Sequence, residues 1–312
     1  MKDSLPMIHC GVDNHLAHYL KRGTNYSFSL TQTTLEKIPH QESIKALSVD
    51  HHSLVTKEVL FSLPKLQLLV ARSVGIDHID QDECRKRGIA LYHIPDYGAY
   101  NIAEHALALL LSGCRGIPFF NSQTHAGSFA FESFLGLGLR GKTIGVVGTG
   151  KIGVSFIKLL QGFDVQVIAY DVFKNEQAAK DLEFTYVSFD ELLKKSDAIS
   201  IHVPLIPQTK HLFNQDAFEK MKDGVVLVNT ARGAVIDTQA LIKNHKKCKA
   251  ICLDVLENEE SFSQKEPLLQ LTNIIITPHS AFYTDDALLN IARETQNCVQ
   301  KFLKGDKTGR VV

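Results

Sequence analysis

The chain has 312 residues, enough for two domains with substantial cores. Its 34 Lys and Arg balance 34 Asp and Glu, and this zero formal charge excludes the broad positive field of a nucleic-acid or anionic-membrane binder. The opening MKDSLPMIHCG lacks the basic and apolar regions of a signal peptide, and the most apolar stretch, near residues 106–111, is too short to span a bilayer.

In the first third, short β-rich runs at 7–12, 46–49, 66–71 and 89–94 alternate with polar amphipathic stretches such as 81–87, which predicts a parallel α/β sheet. Residues 101–111 read as a long, mostly buried helix. Residues 121–141, rich in Gly, Ser and Phe, read as a connector. From Lys142 the alternation sharpens, with apolar runs at 143–147, 165–170, 198–203, 225–228, 250–253 and 274–276. Six strands with interposed helices make a Rossmann-type doubly wound sheet. A last helical pattern at 285–303 has no strand after it, so it is expected to pack back on the first domain. The predicted division is 1–99 with 282–312 as one domain and 100–281 as the other. The six cysteines (10, 84, 114, 248, 252, 298) form no disulfide framework or paired zinc motif. They read as structural thiols in a reducing cytoplasm, the CxxxC pair Cys248 and Cys252 included.

The run from Thr143 leads into Gly148-Thr-Gly-Lys-Ile-Gly153 and then a helical stretch, 154–160. In such a turn Gly148 permits the tight bend, Gly150 lets a pyrophosphate approach the backbone, and Gly153 lets the helix pack closely on the strand. Free amides at the helix N-terminus then hold the phosphates. A GxGxxG alone is weak. Here Asp171 ends the next strand, close to the usual ~20 residues downstream, where an acid accepts from the adenosine ribose hydroxyls and repels a 2′-phosphate. NAD is therefore expected rather than NADP. Tyr170-Asp-Val-Phe-Lys174 fits the YxxxK acid–base pair of short-chain dehydrogenases, but it sits at a strand end rather than on a distant helix. Tyr170 reads as a strand residue and Lys174 as solvated.

Ligands of open α/β sheets bind beyond the carboxyl ends of the strands. The fourth strand of the second half runs into Asn229-Thr-Ala-Arg232-Gly233, the fifth into Asp254 with Glu257, Glu259 and Glu260 beyond, and the sixth into Thr277-Pro278-His279. A cation, an acid and an imidazole at one end suit reduction of a 2-oxo acid. Arg232 is expected to fork onto the substrate carboxylate. His279 is expected to donate a proton to the carbonyl oxygen and remove it in reverse. Glu259 is the carboxylate expected to hold the imidazole. No metal site is expected, since His15/His18 and His51/His52 lack a third ligand at suitable spacing.

The segments LRGKTIGVVGTGKIG, VVLVNTARGAVID, ICLDVLENE and IIITPHSAF, with ARSVGIDHID and IPDYGAYNIAEHALALLL upstream, resemble the D-isomer-specific 2-hydroxyacid dehydrogenases, nearest to the D-lactate dehydrogenases. The resemblance runs from about Leu66 to the C-terminus. It implies a flavodoxin-like substrate domain beside the Rossmann-type domain, and Arg232, Glu259 and His279 as the catalytic trio. It implies cofactor contacts at Gly148, Gly150, Lys151, Ile152, Gly153, Asp171, Val203, Pro204, Thr209, Thr230 and Ala231, with Asp254 meeting the nicotinamide amide. The backbone at Val74 and Gly75 would bind the substrate carboxylate, Tyr97 and Phe282 match pocket positions, and a homodimer is implied. Two departures stand out. The run Ser48-Val-Asp-His-His-Ser53 replaces a more apolar and aromatic one, which would make the pocket more polar near His52. Cys252 stands where small residues are common.

The expected activity is NAD-dependent reduction of a small 2-oxo acid to the D-2-hydroxy acid, with pyruvate and D-lactate as the leading pair. The alternatives are a glyoxylate or hydroxypyruvate reductase, a phosphorylated hydroxy acid as substrate, and, in another class, an NADH-sensing, corepressor-like interaction protein. Neither nucleic acid nor membrane is expected as a partner.

Overall fold

The computed structural model describes residues 7–22, 28–31 and 41–312, apart from the side chain of Glu260. The first six residues, part of the opening considered for a signal, lie outside the described residues. Two compact units partition the chain: Met1–Gly98 with Tyr283–Val312, and Ala99–Phe282.

The first unit contains β1 (Met7–His9), α1 (Asn14–Leu20), β2 (Phe28–Leu30), β3 (Ala46–Val49), α2 (Lys57–Ser62), β4 (Leu68–Ala71), α3 (Gln81–Lys86) and β5 (Ala90–His93). Its strands run parallel in the order β2-β1-β3-β4-β5, the flavodoxin-like order. β3 and β4 are buried throughout, as central strands covered on both faces should be. Asp13, Thr56 and Asp80 cap the three helices by accepting first-turn amides. β2 answers to no predicted run: it is an edge strand of three residues, only partly buried. The residues after 303 also meet this sheet: Val311 donates to the Leu91 carbonyl and Arg310 bridges antiparallel to Tyr92.

The second unit begins with α4 (Ala99–Arg115) and α5 (Ile117–His125), followed by β6 (Thr143–Val147), α6 (Lys151–Leu160), β7 (Gln166–Tyr170), α7 (Glu176–Asp181), β8 (Thr185–Tyr186), α8 (Phe189–Lys195), β9 (Ala198–Ile201), α9 (Gln215–Lys220), β10 (Val225–Asn229), α10 (Thr238–Asn244), β11 (Cys248–Leu253) and β12 (Ile274–Ile276). α11 (Asp285–Leu303) belongs to the first unit. The seven strands are parallel in the order β12-β11-β10-β9-β6-β7-β8. The direction of winding reverses at β6, so the glycine turn leaves the sheet at the switch point where doubly wound folds bind ligands. The apolar runs predict six strands here; the seventh, β8, is a two-residue edge strand. The expected connector also begins as helix, since α5 takes in residues 121–125.

Alternation assigns the strand side chains to two cores. Val225 and Leu227 of β10 join the cluster containing Phe213, Phe218 and Leu241, while Val226 and Val228 join the one containing Phe156, Ile157 and Leu160. All six cysteines are free and buried, in keeping with structural thiols. A register shift at the start of β11 sends Cys248 into the first cluster and Cys252 into the second. A Cβ on Gly113 would lie 2.7 Å from Cys252 Sγ, so the bare glycine is what lets α4 pack against β11 at this cysteine.

Candidate active site

The glycine turn has a distinct geometry at each glycine. Gly148 has φ +98°, a backbone that an L side chain rarely adopts, and a Cβ there would lie 2.7 Å from the His202 carbonyl carbon. A Cβ on Gly153 would lie 2.0 Å from the Gly148 carbonyl oxygen, which is how close α6 comes to the turn. A Cβ on Gly150 would meet nothing within 4 Å, so that face of the backbone is open. Gly150 is also the N-cap of α6 and offers no side-chain cap, whereas Asn175, Ser188, Asn214 and Asp237 cap α7 to α10. The first-turn amides of α6, opened by Lys151 and Ile152, thus form a cradle suited to a phosphate.

Asp171 lies one residue past β7 and accepts from the Thr149 amide at 2.6 Å through Oδ2 and from the Phe173 amide at 2.9 Å through Oδ1. The acid therefore also braces the turn itself. Tyr170 is the last residue of β7 and packs on Phe189, while exposed Lys174 lies 5.6 Å over the Tyr186 ring, so the YxxxK pair is divided between two environments. Val203 and Pro204 follow β9, and the Thr209 hydroxyl donates to the Pro204 carbonyl and accepts from the Ile206 amide.

At the end of β10, buried Asn229 accepts from the Ala231 amide at 3.0 Å and donates to the Arg232 carbonyl at 2.9 Å, fixing the turn that carries Thr230 and Arg232. Thr230 is buried, and its hydroxyl has no partner among the described residues. A buried orphan hydroxyl, an uncapped helix and an open glycine face all fit a polar ligand such as a dinucleotide.

His279 Nδ1 lies 2.8 Å from Glu259 Oε2, with the side chains 18% and 26% exposed. The other Glu259 oxygen accepts from the Leu256 amide at 3.0 Å. His279 adopts φ +50°, a left-handed conformation unusual for a non-glycine residue, and its amide donates to the carbonyls of Asp254 and Thr277. The turn that carries it is tied to Asp254, whose carboxylate accepts from the Thr277 hydroxyl, the Ser280 amide and the Ala281 amide. His105 on α4 reaches the same oxygen at 3.4 Å and Thr277 Oγ1 at 3.0 Å. Burial works to raise the Asp254 pKa, but these hydrogen bonds outweigh it and hold the carboxyl below its ordinary range. With about four acceptor directions per carboxylate, Oδ2 keeps one for a further donor. Arg232, Asp254 and His279 follow the carboxyl ends of three neighbouring parallel strands, and the glycine turn follows β6 at the same end of the sheet. Asn229 and His105 were not among the sequence candidates. Asn229 carried a signal as the polar residue closing an apolar strand, but His105 is 172 positions from its partner Thr277 and carried none.

In the first unit, the Val74 carbonyl lies 2.9 Å from His93 Nδ1 and the Gly75 carbonyl accepts from the Ser73 hydroxyl at 2.7 Å. The amides of Val74 and Gly75 have no partner among the described residues. Tyr97 is buried, with its carbonyl 3.4 Å from Asn290 Nδ2, and the His51 and His52 ring centroids lie 3.9 Å apart with the rings tilted by 43°. Phe282 is half-buried at the end of the second unit. Among the described residues, no group of three His, Cys, Asp or Glu is placed to hold a metal ion, and no helix is long and apolar enough to cross a membrane.

The fold and turn of the second unit define a Rossmann-type, dinucleotide-binding class of module. Residues 107–281 match the family model described as D-isomer specific 2-hydroxyacid dehydrogenase, NAD binding domain. The D-lactate dehydrogenase of Escherichia coli (strain K12) is 34% identical over 297 residues, covering 90% of this chain and 89% of that one. The glyoxylate reductase of Thermococcus litoralis is 36% identical over 281 residues, covering 87% and 83%. The crystal structure of D-lactate dehydrogenase from Aquifex aeolicus, complexed with NAD and lactic acid, superposes with a TM-score of 0.88 at 36% identity, covering 98% and 99%. This chain belongs to the D-isomer specific 2-hydroxyacid dehydrogenase family, and it is an NAD-dependent oxidoreductase.

Proposed function

We propose that the protein reduces a small 2-oxo acid to the D-2-hydroxy acid reversibly, with pyruvate and D-lactate as the working pair. The observation that carries this reading is the His279–Glu259 pair at 2.8 Å in the unit that holds the dinucleotide turn. NADH, when bound, supplies the hydride. Gly148, Gly150, Lys151, Ile152 and Gly153 would hold its pyrophosphate and Asp171 its ribose; Val203, Pro204, Thr209, Thr230 and Ala231 would line the rest. Asp254 would accept from the nicotinamide amide. Glu259 engages Nδ1 of His279, so Nε2 is the atom that gives a proton to the carbonyl oxygen and takes it back in reverse. Arg232 forks onto the substrate carboxylate and draws charge from the ketone. Within the first unit, the unpartnered amides of Val74 and Gly75 suit a carboxylate and Tyr97 is a pocket residue, and within the second Phe282 is another. On this reading residues 1–98 with 283–312 form the substrate domain and 99–282 the NAD domain.

The likeness to a glyoxylate reductase supports a second reading in which the two-carbon acid is preferred. Purified protein with NADH and a panel of pyruvate, hydroxypyruvate, glyoxylate and branched 2-oxo acids tests both. Pyruvate is expected to give the highest kcat/KM and a D-configured product. A preference for glyoxylate replaces the first reading with the second, and inactivity on every acid overturns both. The protein also self-associates, most simply as a homodimer in a reducing cytoplasm. The support is the apolar surface of the second unit at Ile117, Phe129, Phe131 and Leu135, which are 57%, 95%, 74% and 86% exposed.

A further inference from the structure

Glu259 is held at both oxygens: Oε2 lies against His279 Nδ1, and Oε1 accepts the Leu256 amide at 3.0 Å. The direction of the imidazole therefore depends on where the peptide around Leu256 sits. Two things fix that peptide. One is contact with Gly233, where a Cβ would lie 1.9 Å from the Leu256 carbonyl carbon and 2.3 Å from the Glu257 amide nitrogen. The other is the Glu257 side chain. Its Oε1 lies 2.7 Å from His211 Nε2, and its Oε2 accepts the Thr238 hydroxyl at 2.7 Å. His211 itself is held in a left-handed conformation, φ +52°, with its amide on the Ala234 carbonyl, and Thr238 opens α10. Burial works to raise the Glu257 pKa, yet the bonds from Thr238 and His211 outweigh it, so the group is a carboxylate at neutral pH.

We propose that Glu257 is a positioning residue for the proton-transfer pair: through His211 and Thr238 it sets the Leu256–Glu257 peptide and so the position of Leu256, whose own amide, in the preceding peptide, sets the Glu259 carboxylate and the His279 ring. It touches neither cofactor nor substrate in this role. The two side chains of the His211–Glu257 pair are 37% and 24% exposed, and a pair so open to solvent contributes little to stability. Its value lies in geometry, where an error near 1 Å costs up to about 100-fold in rate. Gly233 serves the same end from the other side, because only a residue without Cβ lets the Arg232 turn touch this peptide. The inference rests on His279 being the proton donor proposed above.

The experiment compares the wild type with His279→Ala, Glu259→Gln, Glu257→Ala and Glu257→Gln in NADH-dependent reduction of the best 2-oxo acid. Glu257→Ala is expected to lower kcat by about 10- to 50-fold. NADH Kd and substrate KM should stay within about two-fold, since uniform binding is untouched. Its pH profile of kcat should move in the same direction as that of Glu259→Gln. Glu257→Gln, which keeps the length and one acceptor oxygen, should recover most of the loss. If His279→Ala keeps its turnover, the reading of His279 fails. If His279→Ala is impaired but Glu257→Ala keeps wild-type kcat and pH profile, the positioning role alone is overturned. Should Glu257→Ala fail to fold, Thr238→Val removes one of the two restraints. A fall in kcat of about three-fold or more supports the role, and an unchanged kcat overturns it.

Discussion

Two alanine substitutions three residues apart in the glycine turn should have opposite consequences. In Gly153→Ala the new Cβ would lie 2.0 Å from the Gly148 carbonyl oxygen. Non-bonded heavy atoms are comfortable near 3.5 Å, so α6 or the turn must move by about 1.5 Å. α6 is anchored by buried Phe156, Ile157 and Leu160 and does not slide freely. Overpacking of this kind costs about 3 kcal/mol. For a unit of this size that lowers Tm by about 6–12 °C. In Gly150→Ala nothing lies within 4 Å of the new Cβ and φ is −66°, so stability should change by less than about 1 kcal/mol. The methyl instead occupies the open face proposed for the pyrophosphate, and on that proposal NADH Kd should rise at least ~10-fold, about 1.4 kcal/mol. Thermal melts and NADH fluorescence titration separate the two effects. Unchanged NADH affinity in Gly150→Ala would refute the placement of the phosphates, and an unchanged Tm in Gly153→Ala would refute the close approach of α6.

Acid should weaken both units for a shared reason. Burial lowers the His202 pKa to about 3, and burial with the nearby Arg72 charge lowers that of His9 to about 3. The unfolded chain takes up each proton near the ordinary value of 6.5 while the folded chain refuses it, so stability is complete above that pH and falls as pH drops toward 3. Between pH ~7.5 and ~5.5 each histidine should remove about 1 kcal/mol, visible in denaturant melts; a flat response, or an unaltered slope in His202→Asn, counts against it. Serine at Phe129, Phe131 and Leu135 together should convert the protein to a monomer in sedimentation, and a wild type that is already monomeric contradicts the self-association.

The parts of the fold that read directly from the sequence are those whose chemistry is local. β3, β6 and β12 fall where the apolar runs put them, and α11 where the last helical pattern put it. β2 and β8 escaped because an edge strand of two or three residues needs no apolar run to satisfy one neighbour. α5 escaped because none of its residues is buried, so it leaves no apolar stripe. At the candidate site, Arg232, Glu259 and His279 stand out in the sequence as polar residues beyond the ends of apolar strands. What holds them was not: the His105–Thr277–Asp254 group, the Asn229 brackets and the Glu257–His211 pair join residues far apart in sequence or bond through backbone amides. The glycine turn lay between these cases. Its spacing was visible, while the division of labour among Gly148, Gly150 and Gly153 rests on distances to other atoms.

The central claim is that His279, held by Glu259, transfers the proton while the glycine turn holds the cofactor. Its most direct test is His279→Ala, with turnover on a 2-oxo acid and NADH Kd measured on the same preparation. Turnover should fall by at least ~100-fold with NADH affinity unchanged. Wild-type turnover, or equal losses in turnover and NADH affinity, would contradict the account.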